Sequence, residues 1–349
     1  FELGLLELSD WSAEWIARKP VPAQSVKAIE ILEATYGILD GTDDQRIDIT
    51  EVVRKRVRQN RLYLRASDQL AGDPAPESAK QLQLEYRFGG TPGSVTMEET
   101  EVLYMPVRGD TAPMPHFRRA FTLNRPIERA RLYVTAIGLC ECYLNGQRVG
   151  EDHFLPGWTE YKKRFHVHTY DVTDALRQGS NAIGAILGVG WHPWSLGHRM
   201  YDNPAGNSQE LLCQLHVTYQ DGETEIVRSD GDWKTADGPI RSASFYDGEH
   251  YDAQLELGSW SEPDYDDSAW LPVETRKQDA QIELTPLPNR PVQVIEELAS
   301  QSVSEPSSGR FVFDLGQNMV GWARITIPAE PGRRVTLRFA EMLNNDVTI

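Results

Sequence analysis

RARLYVTAI (residues 129–137), followed closely by CYLNG (residues 142–146), is the stretch that decides the fold. Both runs are of strand length and rich in β-branched and aromatic side chains. The second ends on Asn-Gly, the pair favoured where two consecutive residues must take positive φ in a tight hairpin, so RVGE (residues 148–151) reads as the returning strand. The same pattern recurs outward in both directions. LYLRAS, KQLQLEYRF, NAIGAIL, LLCQLHVTY, TEIVRS, ARITIP and RRVTLRF are short alternating runs, and Gly, Pro, Asn or Asp bounds most of them. Helical periodicity is confined to residues 26–34 and 48–57. The basic run RKRVRQNR (residues 54–61) reads as the solvated face of a short helix or turn beginning near Asp48. The expected fold class is all-β, with consecutive β-sandwich, jelly-roll-like domains and a small inserted β-module.

At 349 residues the chain is long enough for two or three cores of roughly 100–150 residues each. Its 40% hydrophobic and 9% aromatic content is ordinary for a folded soluble protein. No window approaches the ~20 apolar residues of a membrane span, so no membrane partner is expected. A net charge of −17 argues against a nucleic-acid surface, which depends on clustered Lys and Arg, and suits a neutral or cationic ligand better. Cys140, Cys142 and Cys213 cannot all pair, and the first two fall on one strand face, where a mutual bridge is geometrically poor. A disulfide scaffold is therefore not expected. The chain opens on FELGLLELSDW without a leader-like segment and stops at VTI, so both ends read as cut.

Proline-rich and polar stretches mark the seams. DPAPES (residues 73–78) reads as a loop within a first small module, RGDTAPMP (residues 108–115) as a linker, and LTPLPNRPV (residues 284–292) as a second boundary. The expected organisation is a junction from a preceding domain at 1–20, the inserted module at 21–108, a β-sandwich at 109–285 and the start of another at 286–349. From about Gln293 only a few strands remain, thin for a freestanding sheet.

Several clusters could carry chemistry. FYDGEHYDAQLELGSW (residues 245–260) holds Asp247, Glu249, Asp252 and Glu256. A glycosidase pair needs two carboxylates about 5–10 Å apart in one cavity. Asp247 and Glu249 on an extended segment would share a face at ~6.5–7 Å. Turn-making with local hydrogen bonds is the competing reading, and the glycines favour it. LGVGWHPWSLG (residues 187–197) offers Trp191 and Trp194, whose indole faces suit the C–H faces of sugar rings, against the plainer reading of a rim-packing loop. YDNPAGNS (residues 201–208) offers Asp202 and Asn203 as hard oxygen ligands for calcium, without EF-hand regularity. His166 and His168 share a strand face with no third ligand at a metal-like spacing. Nucleophile elbows, phosphate-cradling loops and CxxC pairs are absent from the sequence.

Three segments together carry a resemblance. LNGQRVGEDHFLPGWTEYKKRFHVHTYDVTDALRQGSNAIGAILGVGWHPWSLG (residues 144–197) resembles the N-terminal β-sandwich of bacterial α-L-rhamnosidases, glycoside hydrolase family 78. DWKTADGPIRSASFYDGEHYDAQLELGSWSEPDYDDSAW (residues 232–270) is similar to the end of that domain, and FDLGQNMVGWARITIPAEPGRRVTLRFAEML (residues 313–343) to the start of the next. FELGLLELSDWSAEWI resembles the junction that follows a fibronectin-like strand in these enzymes. Residues 21–108 lie outside this layout and look like an inserted β-module with an accessory binding or spacer role.

The resemblance implies a glycoside hydrolase whose catalysis belongs to an (α/α)6 barrel following the β-domains, where acidic residues hydrolyse terminal α-L-rhamnosyl bonds with inversion. No residue here matches those catalytic carboxylates, so these residues alone are expected to be inactive. It further implies rhamnose-containing glycosides or polysaccharides and a downstream catalytic domain as partners. No cofactor is implied for catalysis. In some family members the sandwich binds rhamnose through calcium, which makes Asp152 and Asn203 the positions to test by order and spacing, although the neighbouring His153 fits poorly as an amide ligand. A stand-alone carbohydrate-binding protein and a related glycosidase acting on another sugar are the rival readings.

Overall fold

The computed structural model describes residues 4–5, 7–19, 28–57, 62–105, 113–191, 209–245, 248–328 and 335–342. Two compact units emerge, Phe1–Val292 and Gln293–Ile349. The first is built on a sandwich of two sheets, as the alternation in the sequence predicts.

One sheet has seven strands, ordered Glu274–Arg276, Trp15–Ala17, Glu210–Tyr219, Ile127–Ile137, Arg164–Asp171 and Glu283–Pro286, with Thr224–Arg228 also paired to Glu210–Tyr219. The facing sheet runs Gln147–Arg148, Leu139–Leu144, Gly179–Gly188, Pro115–Leu123, Lys234–Asp237 and Leu271–Pro272. Neighbours are antiparallel except Arg164–Asp171 and Glu283–Pro286. Leu132 and Val134 of one sheet and Cys140, Cys142 and Leu144 of the other point into a shared core that also takes in Ile183, Leu215 and Trp233. The three cysteines are buried there as free thiols. The Asn-Gly turn is present, with Asn145 at φ 49° and Gly146 at φ 83°, both signs a two-residue hairpin needs.

Both outer faces are covered. Trp15, Ile137, Phe165 and Leu212 form a second apolar layer behind the seven-stranded sheet, which is why Ile127–Ile137 is buried along nearly its whole C-terminal half. Residues 1–20 are therefore more than a junction from a preceding domain: Trp15–Ala17 is an internal strand of the sandwich. The segment before it is held by Gln214, whose Oε1 accepts from Ser12 N at 2.8 Å and Ala13 N at 3.0 Å.

The facing sheet is covered by residues 260–270, which contain no strand. Arg118, 1% exposed, reaches out from Pro115–Leu123 into this segment. Its Nε donates to the Trp260 carbonyl at 2.8 Å and its Nη2 to the Glu262 carbonyl at 2.8 Å, while Nη1 is paired with the Asp267 carboxylate. Lys234 adds a second cation 2.7 Å from Asp267. His116, two residues before Arg118 on the same face, lies edge-on to Trp260 with centroids 5.0 Å apart. Its Nδ1 has no hydrogen-bond partner, and burial pulls its pKa down to about 4, against the upward pull of a Met114 backbone contact and the Asp237 charge.

Between Ala17 and Pro115 the described residues form a separate small layer. Its four-stranded sheet is ordered Arg46–Asp48, Ile29–Gly37, Gln81–Phe88 and Thr91–Glu98, and Leu62–Arg65 pairs with Val102–Met105. The helix Thr50–Arg56 contributes Thr50 and Val53 to its interior. The helical pattern expected at residues 26–34 is instead the strand Ile29–Gly37. A β-bulge between Ile31 and Glu33 shifts the phase by one residue, so the inward set is Ile29, Ile31, Ala34 and Tyr36, a spacing that imitates a helix. Arg54 donates to the carbonyls of Ile31 and Leu32 at 3.0 Å each, so this member of the basic run serves the bulge as well as the solvated surface.

In the unit Gln293–Ile349 the described strands are one hairpin, Ser302–Ser307 with Arg310–Asp314. ARITIP and the described part of RRVTLRF, expected as strands, carry no ladder. Among the described residues of this unit no further strand offers backbone partners, and Ile325, Ile327, Val335, Leu337 and Phe339 are exposed.

Two outcomes follow from the covered face. Replacing Arg118 with Met strands the Asp267 carboxylate and three carbonyls, and should lower the unfolding free energy by roughly 3–5 kcal/mol in urea titrations. For His116, the unfolded imidazole binds a proton near its ordinary pKa of 6.5 while the folded one resists until about 4. Stability is therefore complete above pH 6.5 and falls as pH drops from there toward 4, by up to about 3 kcal/mol. Thermal unfolding measured across that window should be shallower in pH for His116→Gln than for the wild type.

Candidate functional site

The loop between Gln147–Arg148 and Arg164–Asp171 is held on several sides. Asp152 is 7% exposed and its Oδ2 accepts from Tyr170 Oη at 2.7 Å, with His168 Nδ1 at 3.8 Å. The Arg148 guanidinium donates to the carbonyls of Asp152 and Gly150. His153 N donates to the Val292 carbonyl at 2.8 Å, and Leu155 accepts from Cys140 N at 3.0 Å. At Gly150, φ is 70° and a Cβ would lie 2.5 Å from the Tyr170 ring, so only glycine lets the loop close over that tyrosine.

Burial, the bond to Asp152 and its charge all push the Tyr170 hydroxyl upward, so it stays protonated. Burial drives His168 downward, against the pull of the Pro156 carbonyl and Asp152, so the imidazole is neutral at neutral pH. The group is a fixed hydrogen-bonded support, without an acid–base pair poised near neutrality.

What the support projects outward is aromatic. Phe154 is 41% and Trp158 61% exposed. Trp158 lies parallel to Trp191, 12° between planes and 6.5 Å between centroids. Trp191 tilts against Phe245 at 4.6 Å, and Phe154 meets both, edge-on to Trp191 at 6.3 Å and to Phe245 at 5.4 Å. Four rings from three separate segments thus form one contiguous set. Phe154 has φ 59°, a left-handed conformation that costs a side-chain-bearing residue about 1 kcal/mol or more.

Of the residues expected at a site, Asp152 and Trp191 fall at this end of the sandwich, one beneath the loop and one among the rings. Asp152 has its partner within the protein, so any effect on a ligand passes through the loop it holds. Trp194, Asp202, Asn203 and Asp247 lie outside the described residues. The rings of Phe154, Trp158 and Phe245 were not foreseen; the glycine-bounded spacing of HFLPGW was the available signal.

The remaining acidic residues of 245–260 act locally. Asp252 caps the short turn Ala253–Leu255 by accepting from Gln254 N at 3.0 Å, and Glu256 accepts from Tyr251 Oη at 2.6 Å. His166 and His168 lie on Arg164–Asp171, and among the described residues no group of three or more His, Cys, Asp or Glu side chains is placed to hold a metal. A depression of about 50 Å³ between Glu33, Thr35, Gln83 and Glu85 does bring two carboxylates together. It is far below the ~300 Å³ at which ligand pockets begin.

Residues 125–296 match the family described as the α-L-rhamnosidase N-terminal domain, and residues 304–349 the bacterial α-L-rhamnosidase concanavalin-like domain. Residues 23–106 match the DnaJ-like protein C11, C-terminal family. An α-L-rhamnosidase of Streptomyces avermitilis is 45% identical over 66% of this chain and 22% of its own length. One from Alteromonas sp. is 40% identical over 71% of this chain and 27% of its own length. The chain thus spans about a quarter of these curated relatives. Among solved structures, the Streptomyces avermitilis α-L-rhamnosidase complexed with L-rhamnose aligns over 98% of this chain and 41% of that one, with 27% identity and a TM-score of 0.64. The native Aspergillus terreus enzyme aligns over 85% of this chain and 35% of its own, at 29% identity and a TM-score of 0.57.

The strain at Phe154 can be measured. Phe154→Gly and Phe154→Ala lose the same ring, but only glycine is at ease at this φ. In urea unfolding the glycine variant should be about 1 kcal/mol more stable than the alanine variant.

Proposed function

The chain belongs to the α-L-rhamnosidase family, and from that premise we propose that it is the non-catalytic N-terminal part of a longer glycoside hydrolase acting on terminal α-L-rhamnosyl residues. The observation that carries this reading is the succession of two family matches in order, the N-terminal domain at 125–296 and the concanavalin-like domain at 304–349. Relatives four to five times as long as the matched region agree with a catalytic domain lying beyond these residues.

The geometry supports the division of labour. Inverting hydrolysis needs one carboxylic acid to protonate the glycosidic oxygen and a second carboxylate, roughly 6.5–9.5 Å away, to activate water. The acidic residues described at 249–256 are engaged in capping and a tyrosine hydrogen bond, or exposed on a hairpin. Glu33 and Glu85 flank a space too small for a sugar ring. The sandwich therefore supports and presents, and the rhamnose-containing glycoside is cleaved elsewhere in the polypeptide.

The 349-residue chain incubated with p-nitrophenyl α-L-rhamnoside should release no nitrophenol above buffer. A longer polypeptide carrying the following domains should release it steadily. Turnover by the 349-residue chain itself would overturn the assignment.

A further inference from the structure

We propose that Phe154, Trp158, Trp191 and Phe245 form a preorganised stacking platform for the C–H face of a terminal 6-deoxyhexose of the L-rhamnose type. The identity of the sugar rests on the rhamnosidase reading above; the platform rests on the rings themselves.

The first argument is the open ring face. Trp158 is 61% exposed while lying parallel to Trp191, so a broad indole surface stays uncovered. An aromatic face carries negative quadrupolar potential and attracts the slightly positive C–H groups of a pyranose. The second is order. Phe154, Trp191 and Phe245 contact one another pairwise, and the loop bearing Phe154 and Trp158 is tied down through Asp152, His153 and Leu155. A ligand meeting rings already in place spends little on ordering them. The third is strain: Phe154 is kept at φ 59° although glycine would hold the turn more cheaply, which marks the ring as the feature retained.

Size and charge choose the occupant. Four aromatic side chains, each only partly exposed, offer a few hundred Å² at most. A stable protein interface takes ~800 Å² from each partner. A net charge of −17 disfavours an anionic ligand, whereas a neutral sugar meets no such penalty. L-rhamnose carries a methyl group where a hexose has its 6-hydroxyl, which gives it one more apolar contact for the phenylalanine edges. Exposed Glu249 and His250 follow Phe245 on the same hairpin and supply polar groups at the rim.

Calorimetric titration of the 349-residue chain with methyl α-L-rhamnoside and methyl α-D-mannoside tests this. The expected result is binding of the rhamnoside near ~1 mM, weaker binding of the mannoside, and about a tenfold loss in Trp158→Ala and in Phe245→Ala. Trp322→Ala, which alters an exposed indole outside the set, should bind as the wild type does. Circular dichroism melts of each variant separate lost binding from lost folding. No heat with either glycoside, equal affinity for both, or rhamnoside binding that persists in folded Trp158→Ala would overturn the proposal. Hydrolysis of p-nitrophenyl α-L-rhamnoside by the longer polypeptide, measured alongside, tells a failed platform from a failed rhamnosidase assignment.

Discussion

The buried guanidinium of Arg118 solves two problems at once. Residues 260–270 lie over the six-stranded sheet without a strand of their own, so their carbonyls need donors from elsewhere. A guanidinium taken out of water needs several acceptors in a planar fork. Trp260, Glu262, Pro263 and Asp267 provide them, and Tyr265 lies 5.6 Å from the cation. The covering segment then reaches the site end of the sandwich. Gly146 N donates to the Ser261 carbonyl at 3.1 Å, and Trp260 packs on Tyr143 at 5.3 Å. The Asn-Gly hairpin is thereby pinned, and the loop bearing Phe154 and Trp158 starts from its returning strand. The placement of the rings depends on a charge buried on another strand.

Alternation made the sheets legible because a strand's two faces differ in burial, and in Leu139–Leu144 the inward residues are Cys140, Cys142 and Leu144. The hairpin at Asn145 and Gly146 was legible for a local reason, the φ its dipeptide permits. Where one residue breaks the period the same logic misleads. The bulge at Ile31–Glu33 gave Ile29–Gly37 the spacing of a helix, and the tertiary pairing with Gln81–Phe88 overrode it. ARITIP shows the converse: a strand-like pattern makes no ladder unless another strand offers its hydrogen bonds.

The candidate site was legible in part, and the limit is geometric. Trp191 stood out as an aromatic residue between glycines. Phe154 and Trp158 come from a different loop and Phe245 from a third, and nothing in sequence order says that these three loops meet at one end of a sandwich. Asp152 illustrates the reverse. Its position suggested a ligand contact, but a carboxylate at 7% exposure satisfied by Tyr170 is a support. Sequence shows which groups are present, and burial decides which of them face outward.

The same topology accounts for how an extra layer of strands fits between Ala17 and Pro115. The sandwich is interrupted just after its first strand and resumes at Pro115–Leu123. Arg18, immediately after Ala17, is paired with the Asp237 carboxylate, and Asp237 stands opposite Pro115 in the sheet. The chain therefore leaves and rejoins the sandwich beside a single residue. An insertion whose ends are already adjacent adds little closure cost to the host, since that cost grows only with the logarithm of loop length. It also leaves the host ladders intact, because Trp15–Ala17 pairs with Glu210–Tyr219 and Glu274–Arg276, both far downstream. With its own core around Ala34, Leu64, Leu82 and Leu84, the inserted layer can carry a separate evolutionary history, as its match to a different family indicates.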